Sequence, residues 1–367
     1  LSVTGTAGIS DSTLNLTGSL VAVPGDMATI LTATGVLTGE FAGFPNGETF
    51  SFNAQPVEII YTANDAILQY DTTPVINGTG AADHFLVRQD GTDIEVFSTT
   101  GPGFNATIVM NLLDTPRANI TGLTINGLAG NDTVTIDYGH TGGFFDLPVT
   151  FNGGDPTLPT TPGDALYVDR GAALTVVHDM LGPDNGNLDI DGNVDLLTYT
   201  GLEPVDMTGS TATDFVFNLP AGDDNAELSA IGGGNLRLAS TDVTPTFEST
   251  DFAPPSGSIT INGGAGGDAI TASALTYAGD LILNGDGDND TVGNSGAISV
   301  GSLTATSETI SLGGDVTTTG GGAMTLNGTA NYTTSITVDT TDGGNTAAGG
   351  DITFNGPLFG TSAGDDD

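Results

Sequence analysis

Apolar and polar residues alternate with a period of two through much of the chain, in short runs bounded by Gly, Asn and Asp. That alternation is the signature of half-buried β-strands. The clearest runs share one phrase, Gly-x-φ-x-φ-Asn-Gly with φ apolar. It reads GSITING at 257–263, GDLILNG at 279–285, GAMTLNG at 322–328 and GDITFNG at 350–356. Looser copies are GLTING (122–127), PVTFNG (148–153), GNLDIDG (186–192) and GSLTATS (301–307), with TDFVFN (213–218) and GNLRLAS (234–240) weaker still. At the Asn position the later series runs Ala239, Asn262, Asn284, Thr306, Asn327, Asn355, in steps of 23, 22, 22, 21 and 28 residues.

A unit of about 22 residues is too small to bury its own apolar face, but stacked units make a continuous core. The spacing predicts an all-β fold, an elongated parallel β-helix (β-solenoid) with one coil per repeat, and Asn side chains aligned at one corner. Tandem β-sandwich domains are the alternative, since hairpins also give strand and turn signals at regular intervals. Residues 1–115 are less regular. Leu1–Gly5, Leu14–Gly18 and Val36–Gly39 echo the repeat as φ-x-φ-Thr-Gly, whereas residues 40–71 predict two or three antiparallel strands with a turn at Pro45-Asn46-Gly47. The expected organisation is an irregular β region over 1–115 and solenoid repeats over 116–367. Residues 153–164, rich in Pro and Gly, are expected to form a surface loop. Both ends of the sequence read as mid-pattern, as an excerpt of a longer chain would.

Composition narrows the functional classes. Asp and Glu number 45 against four Arg (Arg88, Arg117, Arg170, Arg237) and no Lys, for a formal charge of -41. Nucleic acid and anionic membrane surfaces both require Lys and Arg, so neither is an expected partner. The charge calls instead for solvent cations, bound metal or a basic partner. The absence of Cys excludes disulfides and thiolate metal sites. No run of about 18 apolar residues is present, and no membrane insertion is expected. His84, His140 and His178 stand apart with no nucleophile or metal spacing around them and read as surface or loop residues. Acidic pairs such as Asp189 and Asp191, or Asp223 and Asp224, could act as acid and base in a polysaccharide-active enzyme. Enzymes of that shape usually place Lys or Arg near a bound cation, and this composition points away from catalysis. Sugar recognition is also disfavoured by the lack of Trp.

A second phrase, Gly-x-Asp-x-φ, follows many of the strands. GGAGGDAIT (263–271) fits the nonapeptide G-G-x-G-x-D-x-φ-x at every specified position, GLAGNDTVT (127–135) departs only at Leu128, and GDGDNDTV (285–292) substitutes Asp286 and Asp288 for Gly. AGDDNAEL (221–228), TANDAIL (62–68) and TGAADHFL (79–86) are weaker copies. Ca²⁺ takes six to eight oxygen ligands, which Gly-rich turns can supply as carbonyls beside a carboxylate. The candidate ligands are Asp268 with Asp286, Asp288 and Asp290, then Asp132 and Asp224. The competing reading is that each Asp simply accepts backbone N–H groups in its turn.

These segments carry a resemblance. GEFAGFPNGETFSFNAQPVEIIYTANDAILQYD (39–71) resembles the closing segment of β-strand-repeat modules in autotransporter-like passengers, though YTAND (61–65) lacks most of the usual glycines. INGTGAADHFLVRQDGTDIEVF (76–97) and ITGLTINGLAGNDTVTID (120–137) resemble modules of giant secreted proteins of planctomycetes and related bacteria. Residues 257–360 are similar to filamentous-haemagglutinin-like β-strand repeats. The resemblance implies a secreted, cell-surface, non-enzymatic β-solenoid with degenerate calcium-binding nonapeptides. The expected role is a structural filament, stalk, sheath or matrix subunit that polymerises with itself head to tail. An adhesin that contacts other cell-surface proteins or glycans is the alternative.

Overall fold

The computed structural model describes residues 1–17, 26–53, 55–155, 163–332 and 335–360. It is all-β, about 54% strand and 2% helix. The strands join into a large sheet that is mixed, where a purely parallel one was expected. Antiparallel hairpins enter the parallel ladders, and the reason lies in the spacing described below. Two compact units are present, Leu1–Pro156 with Pro162–Tyr167, and Thr157–Thr161 with Val168–Asp367.

In the first unit, Met27–Ala33, Asp65–Tyr70, Pro56–Tyr61 and Thr49–Ser51 form an antiparallel sheet in that order, over the span where antiparallel strands were expected. At the expected turn, Asn46 Oδ1 accepts the Tyr61 N–H at 2.7 Å and Gly47 has φ +83°. Ser2–Val3 adds to the edge of this sheet in parallel, as Ala7–Gly8 does to Leu37–Thr38. Further along, Val75–Asn77, Leu123–Ala129 and Val149–Asp155 lie side by side in parallel register. Between the first two of these, His84–Asp90, Asp93–Thr99 and Ile108–Pro116 fold as an antiparallel meander.

In the second unit the parallel ladder is longer. Thr211–Asn218 lies between Ala172–Gly182 and Ser258–Asn262, followed by Asp280–Asn284, Leu303–Leu312, Met324–Tyr332 and Ile352–Phe354. A second ladder runs through Asn225–Ala230, Ala269–Ala272 and Thr291–Asn294 to Leu358–Gly360, and a third joins Leu275–Thr276, Ile298–Val300, Val316–Thr318 and Val338–Asp339. Alternation places every second side chain inward, so Ile261, Leu283, Ala305 and Leu326 stack in register and are buried. Each such Leu or Ile contributes about 1.5–3 kcal/mol by leaving water.

The Asn of the repeat phrase forms an amide ladder. Asn126 Nδ2 donates to Asn77 Oδ1, and Asn152 to Asn126, each at 2.8 Å. In the second unit Asn262 donates to Asn218 at 2.7 Å, Asn284 to Asn262 at 2.8 Å, Asn327 to the Thr306 hydroxyl at 3.0 Å, and Asn355 to Asn327 at 2.7 Å. Two weaker copies of the phrase are not rungs. Asn185–Ile190 and Leu236–Ser240 are the middle strands of antiparallel hairpins, so Ala239 drops out of the series. The true step there is 44 residues, from Asn218 to Asn262. Of the loop expected at 153–164, residues 156–162 lie outside the described residues, while Gly153–Asp155 end a strand and Asp164 is fully buried.

Candidate functional site

The acidic turns begin where each strand ends in Asn-Gly. Gly263 follows the Asn262 rung, and a Cβ on it would lie 2.5 Å from Asp268 Oδ2 and 2.8 Å from the Gly285 carbonyl oxygen. Only glycine leaves room for the aspartate to fold back under the strand end. Gly127 stands in the same relation to Asp132 Oδ2 and the Gly153 carbonyl. The acidic phrase and the strand phrase are thus one device, with the glycine of the first making space for the aspartate of the second.

That placement turns the aspartates into columns. Asp224 donates its N–H to Asp268 Oδ1 at 2.9 Å, Asp268 to Asp290 Oδ1 at 2.8 Å, and Asp290 to Glu308 Oε2 at 3.3 Å. In the first unit Asp83 donates its N–H to Asp132 Oδ1 at 2.7 Å, and Asp132 to Asp164 Oδ1 at 2.6 Å. One oxygen of each carboxyl therefore satisfies the backbone of the neighbouring repeat. The other is stranded. Oδ2 of Asp132, Asp164, Asp224 and Asp268 is buried with no hydrogen-bond partner among the described residues. The four side chains are no more than 2% exposed.

Stranded buried carboxylate oxygens are costly, and the electrostatics record it. Burial, with Asp224 and Asp290 adding like charge, pushes Asp268 up to about 6. Burial and the Asp132 charge push Asp164 up to about 6. Asp132 and Asp224 are raised too, chiefly by burial. No Lys exists to compensate them, and Arg88, Arg117 and Arg237 are engaged elsewhere, with Glu95, Asp146 and Asp251.

Of the six expected metal ligands, the structure brings Asp224, Asp268 and Asp290 into one column and Asp132 into the other. Asp286 and Asp288 sit outside it, exposed, with Asp286 Oδ2 accepting the Gly264 N–H at 3.0 Å and Asp288 Oδ2 the Gly266 N–H at 3.3 Å. Oδ1 therefore caps backbone N–H groups, while Oδ2 of the buried Asp132, Asp224 and Asp268 has no hydrogen-bond partner among the described residues. A stranded carboxylate oxygen beside a glycine carbonyl is a donor set that suits a hard cation, and in that sense the residues fit Ca²⁺. No three of the columns' acidic side chains converge, so further ligands would come from the backbone. The only trio of His, Asp and Glu ligand atoms within 4.8 Å of one another among the described residues is Asp90, Glu95 and His140, where Arg88 already pairs with Glu95 at 2.8 Å.

Sequence reasoning missed Asp164 and Glu308 as column members. The signal for Asp164 was present, because Gly-Asp-Ala-Leu (163–166) matches Gly-Asp-Ala-Ile (267–270), but the prolines around it suggested a loop. Asp65 of the TANDAIL copy has another role, accepting the Thr32 hydroxyl at 2.7 Å within the antiparallel sheet. His178 was expected at the surface and is fully buried. It bridges the Tyr199 hydroxyl at 2.7 Å and the Thr250 hydroxyl at 3.0 Å, and burial lowers its pKa to about 3. A neutral imidazole locked between two hydroxyls ties the two hairpins of the second unit together. Compared with known protein families, curated proteins and solved structures, the chain matches none.

Proposed function

We propose that this chain is a structural element of an extracellular or cell-surface assembly, a β-solenoid interrupted by hairpins, whose buried aspartate columns take up calcium. The observation that carries the reading is the stranded Oδ2 of Asp224 and Asp268 in a column propagated from repeat to repeat. Buried carboxylate oxygens left without partners at successive repeats favour a cation supplied from outside the chain. Extracellular calcium is millimolar, and calcium would neutralise these oxygens and bridge successive coils through Asp268 and the carbonyl of Gly285. The same columns explain the composition: a chain that relies on external cations needs few of its own. Registered parallel stacking of residues 258–360 around an aliphatic core supports a scaffold role, because its side chains are spent on packing and ladders.

Calorimetric melting of the purified chain with about 5 mM CaCl₂, against the same sample in EGTA, tests the metal. A rise of several degrees that D224N/D268N removes is the expected result, and identical melts overturn the calcium reading. Immunogold labelling of intact source cells tests the location. Label on the outside is expected, and label confined to the interior overturns the surface role.

A further inference from the structure

The levels of the second unit's aspartate column are not alike. At the level of Asp268, a Cβ on Gly263 would lie 2.5 Å from Asp268 Oδ2 and 2.8 Å from the Gly285 carbonyl oxygen. A carboxylate oxygen of one coil and a carbonyl of the next therefore face the same spot. At the level of Asp290 the pairing of Asn284 with Thr306 puts Ser307 in the place of that second glycine. Its hydroxyl donates to the Asp290 carbonyl at 2.8 Å. A Cβ on Gly285 would lie 3.0 Å from the same hydroxyl and 2.9 Å from Asp290 Oδ2, so the serine fills the spot. The Ser307 carbonyl points the other way, onto Gly328 of the following coil. Asp290 Oδ2 accepts the Asp288 N–H at 3.5 Å, and the stranded oxygens of this column are those of Asp224 and Asp268.

The level of Asp224 draws its carbonyl from the coil of Asp268. Asn218 pairs with Asn262, so the carbonyl next in line is that of Gly263. Gly264 donates its N–H to Asp286 Oδ2 at 3.0 Å. In a trans peptide the C=O of the preceding residue points opposite to that N–H. Asp286 belongs to the following coil, so its hold on Gly264 turns the Gly263 carbonyl back toward the coil of Asp224. The Gly285 carbonyl takes the same direction toward Gly263.

We propose that this column holds two large divalent cations, one at Asp268 with the Gly285 carbonyl and one at Asp224 with the Gly263 carbonyl, that Asp286 positions the second carbonyl, and that Ser307 closes the level of Asp290. The proposal rests on the calcium reading above and assigns the levels at which it applies. Asp286, a candidate ligand by sequence, acts through Gly264 and touches no ion. The two oxygens at each level belong to different coils and are held apart by the ladder. Asp268 is fixed by the Asp224 N–H on its Oδ1 at 2.9 Å, and Gly285 by its own N–H on the Thr306 carbonyl at 2.8 Å. A pair fixed in that way suits Ca²⁺, which binds oxygen at about 2.3–2.6 Å in irregular shells and fills the rest with water. Mg²⁺ demands a near-ideal octahedron at about 2.0–2.1 Å and gives up its own water reluctantly.

Equilibrium dialysis of the full chain against radioactive calcium counts the bound ions and gives their affinities. Asparagine keeps one acceptor oxygen and removes the charge, so Asp268→Asn and Asp224→Asn should each release one ion per chain. Asp290→Asn should release none. Asp286→Ala should weaken one ion at least tenfold and leave the rest at their original affinity. Asp286→Asn, whose amide oxygen can still accept the Gly264 N–H, should restore that ion. A tenfold excess of Mg²⁺ should leave the calcium in place. Melts in EGTA should keep every variant folded at the dialysis temperature, so that a lost ion reports the site and not the fold. An ion lost from Asp290→Asn, none lost from Asp224→Asn, or Asp286→Asn as weak as Asp286→Ala overturns the proposal. In those cases calcium is still bound and the calcium reading stands. Displacement by Mg²⁺ overturns the choice of a large cation. No calcium on the unmodified chain overturns both the proposal and the reading beneath it.

Discussion

From Asn218 to Asn262 the chain spends 44 residues on one step of the amide ladder, and from Asn262 to Asn284 it spends 22. Both steps end in the same parallel register, with Phe215 and Phe217 facing Ile259 and Ile261 as these face Leu281 and Leu283. The extra length is Leu236–Ser240 and Thr250–Phe252, which fold back antiparallel from the second-ladder strand Asn225–Ala230. The long step also holds charge chemistry the short ones lack. Arg237 pairs with Asp251 at 2.5 Å, and Glu248, pushed up to about 8 by burial and by the charges of Glu203 and Asp184, lies in the same stretch. Beyond Arg237 the sequence contains no Lys or Arg at all. The comparison teaches that the ladder is the invariant and the step length is free. It also teaches that the minimal steps carry acidic side chains with no Lys or Arg among them.

The strongest way to break that account is in the shared core. Ile261→Ala, in register between Phe217 and Leu283, should cost about 2–5 kcal/mol in urea unfolding, as should Phe217→Ala on the long-step side. A much smaller loss at either position would mean the two regions do not share one core column. The next effect concerns Asp268. Its folded pKa of about 6 lies above its ordinary value, so the charged form costs stability at neutral pH and the cost is relieved as pH falls through about 6. At about 1.4 kcal/mol per pKa unit, discounted for solvent screening, Asp268→Asn in EGTA should stabilise the fold by on the order of 1 kcal/mol at pH 7 and by almost nothing near pH 4. The difference between the two proteins is the proper readout, because neutral buried His178 works in the opposite direction. Its lowered pKa costs stability as pH falls below the ordinary histidine value.

Local substitutions sharpen the comparison. Gly263→Ala drives a methyl against Asp268 and the Gly285 carbonyl and should cost about 1–3 kcal/mol. Gly222→Ala, which meets open space, should stay within about 0.5 kcal/mol. Asn284→Ala should cost about 1 kcal/mol, the net value of an amide rung, and Asn218→Ala, which removes the long-step rung and also the Asn218 amide bond to Asp179, should cost about twice that. Thermal melts of the four variants decide whether the corner is built alike in both regions.

The minimal repeats were legible because nothing interrupts them: Asn262, Asn284, Thr306, Asn327 and Asn355 are rungs at the expected spacing. The hairpins were not legible as insertions, because a hairpin strand such as Leu236–Ser240 alternates like a ladder strand and differs only in its partner. Partner choice is a long-range property, and alternation carries only the inward and outward faces. Asp268 and Asp132 were recognisable from Gly-x-Asp-x-φ. What that phrase leaves out is that each carboxyl serves the next repeat with one oxygen and strands the other. Separations of 22, 44 and 49 residues between column members put that arrangement beyond any local motif.

The amide ladder also sets how this protein ages. Asn126, Asn152, Asn262, Asn284, Asn327 and Asn355 are each followed by glycine, the neighbour that least hinders its own backbone nitrogen from attacking the side-chain carbonyl and expelling ammonia. Within a ladder the amide is held on its neighbour and the strand keeps that nitrogen out of line, so the reaction is suppressed while the stack stays closed. Loss of ammonia at one rung replaces a donor with a carboxylate that faces the next acceptor, and the break exposes the adjacent Asn-Gly.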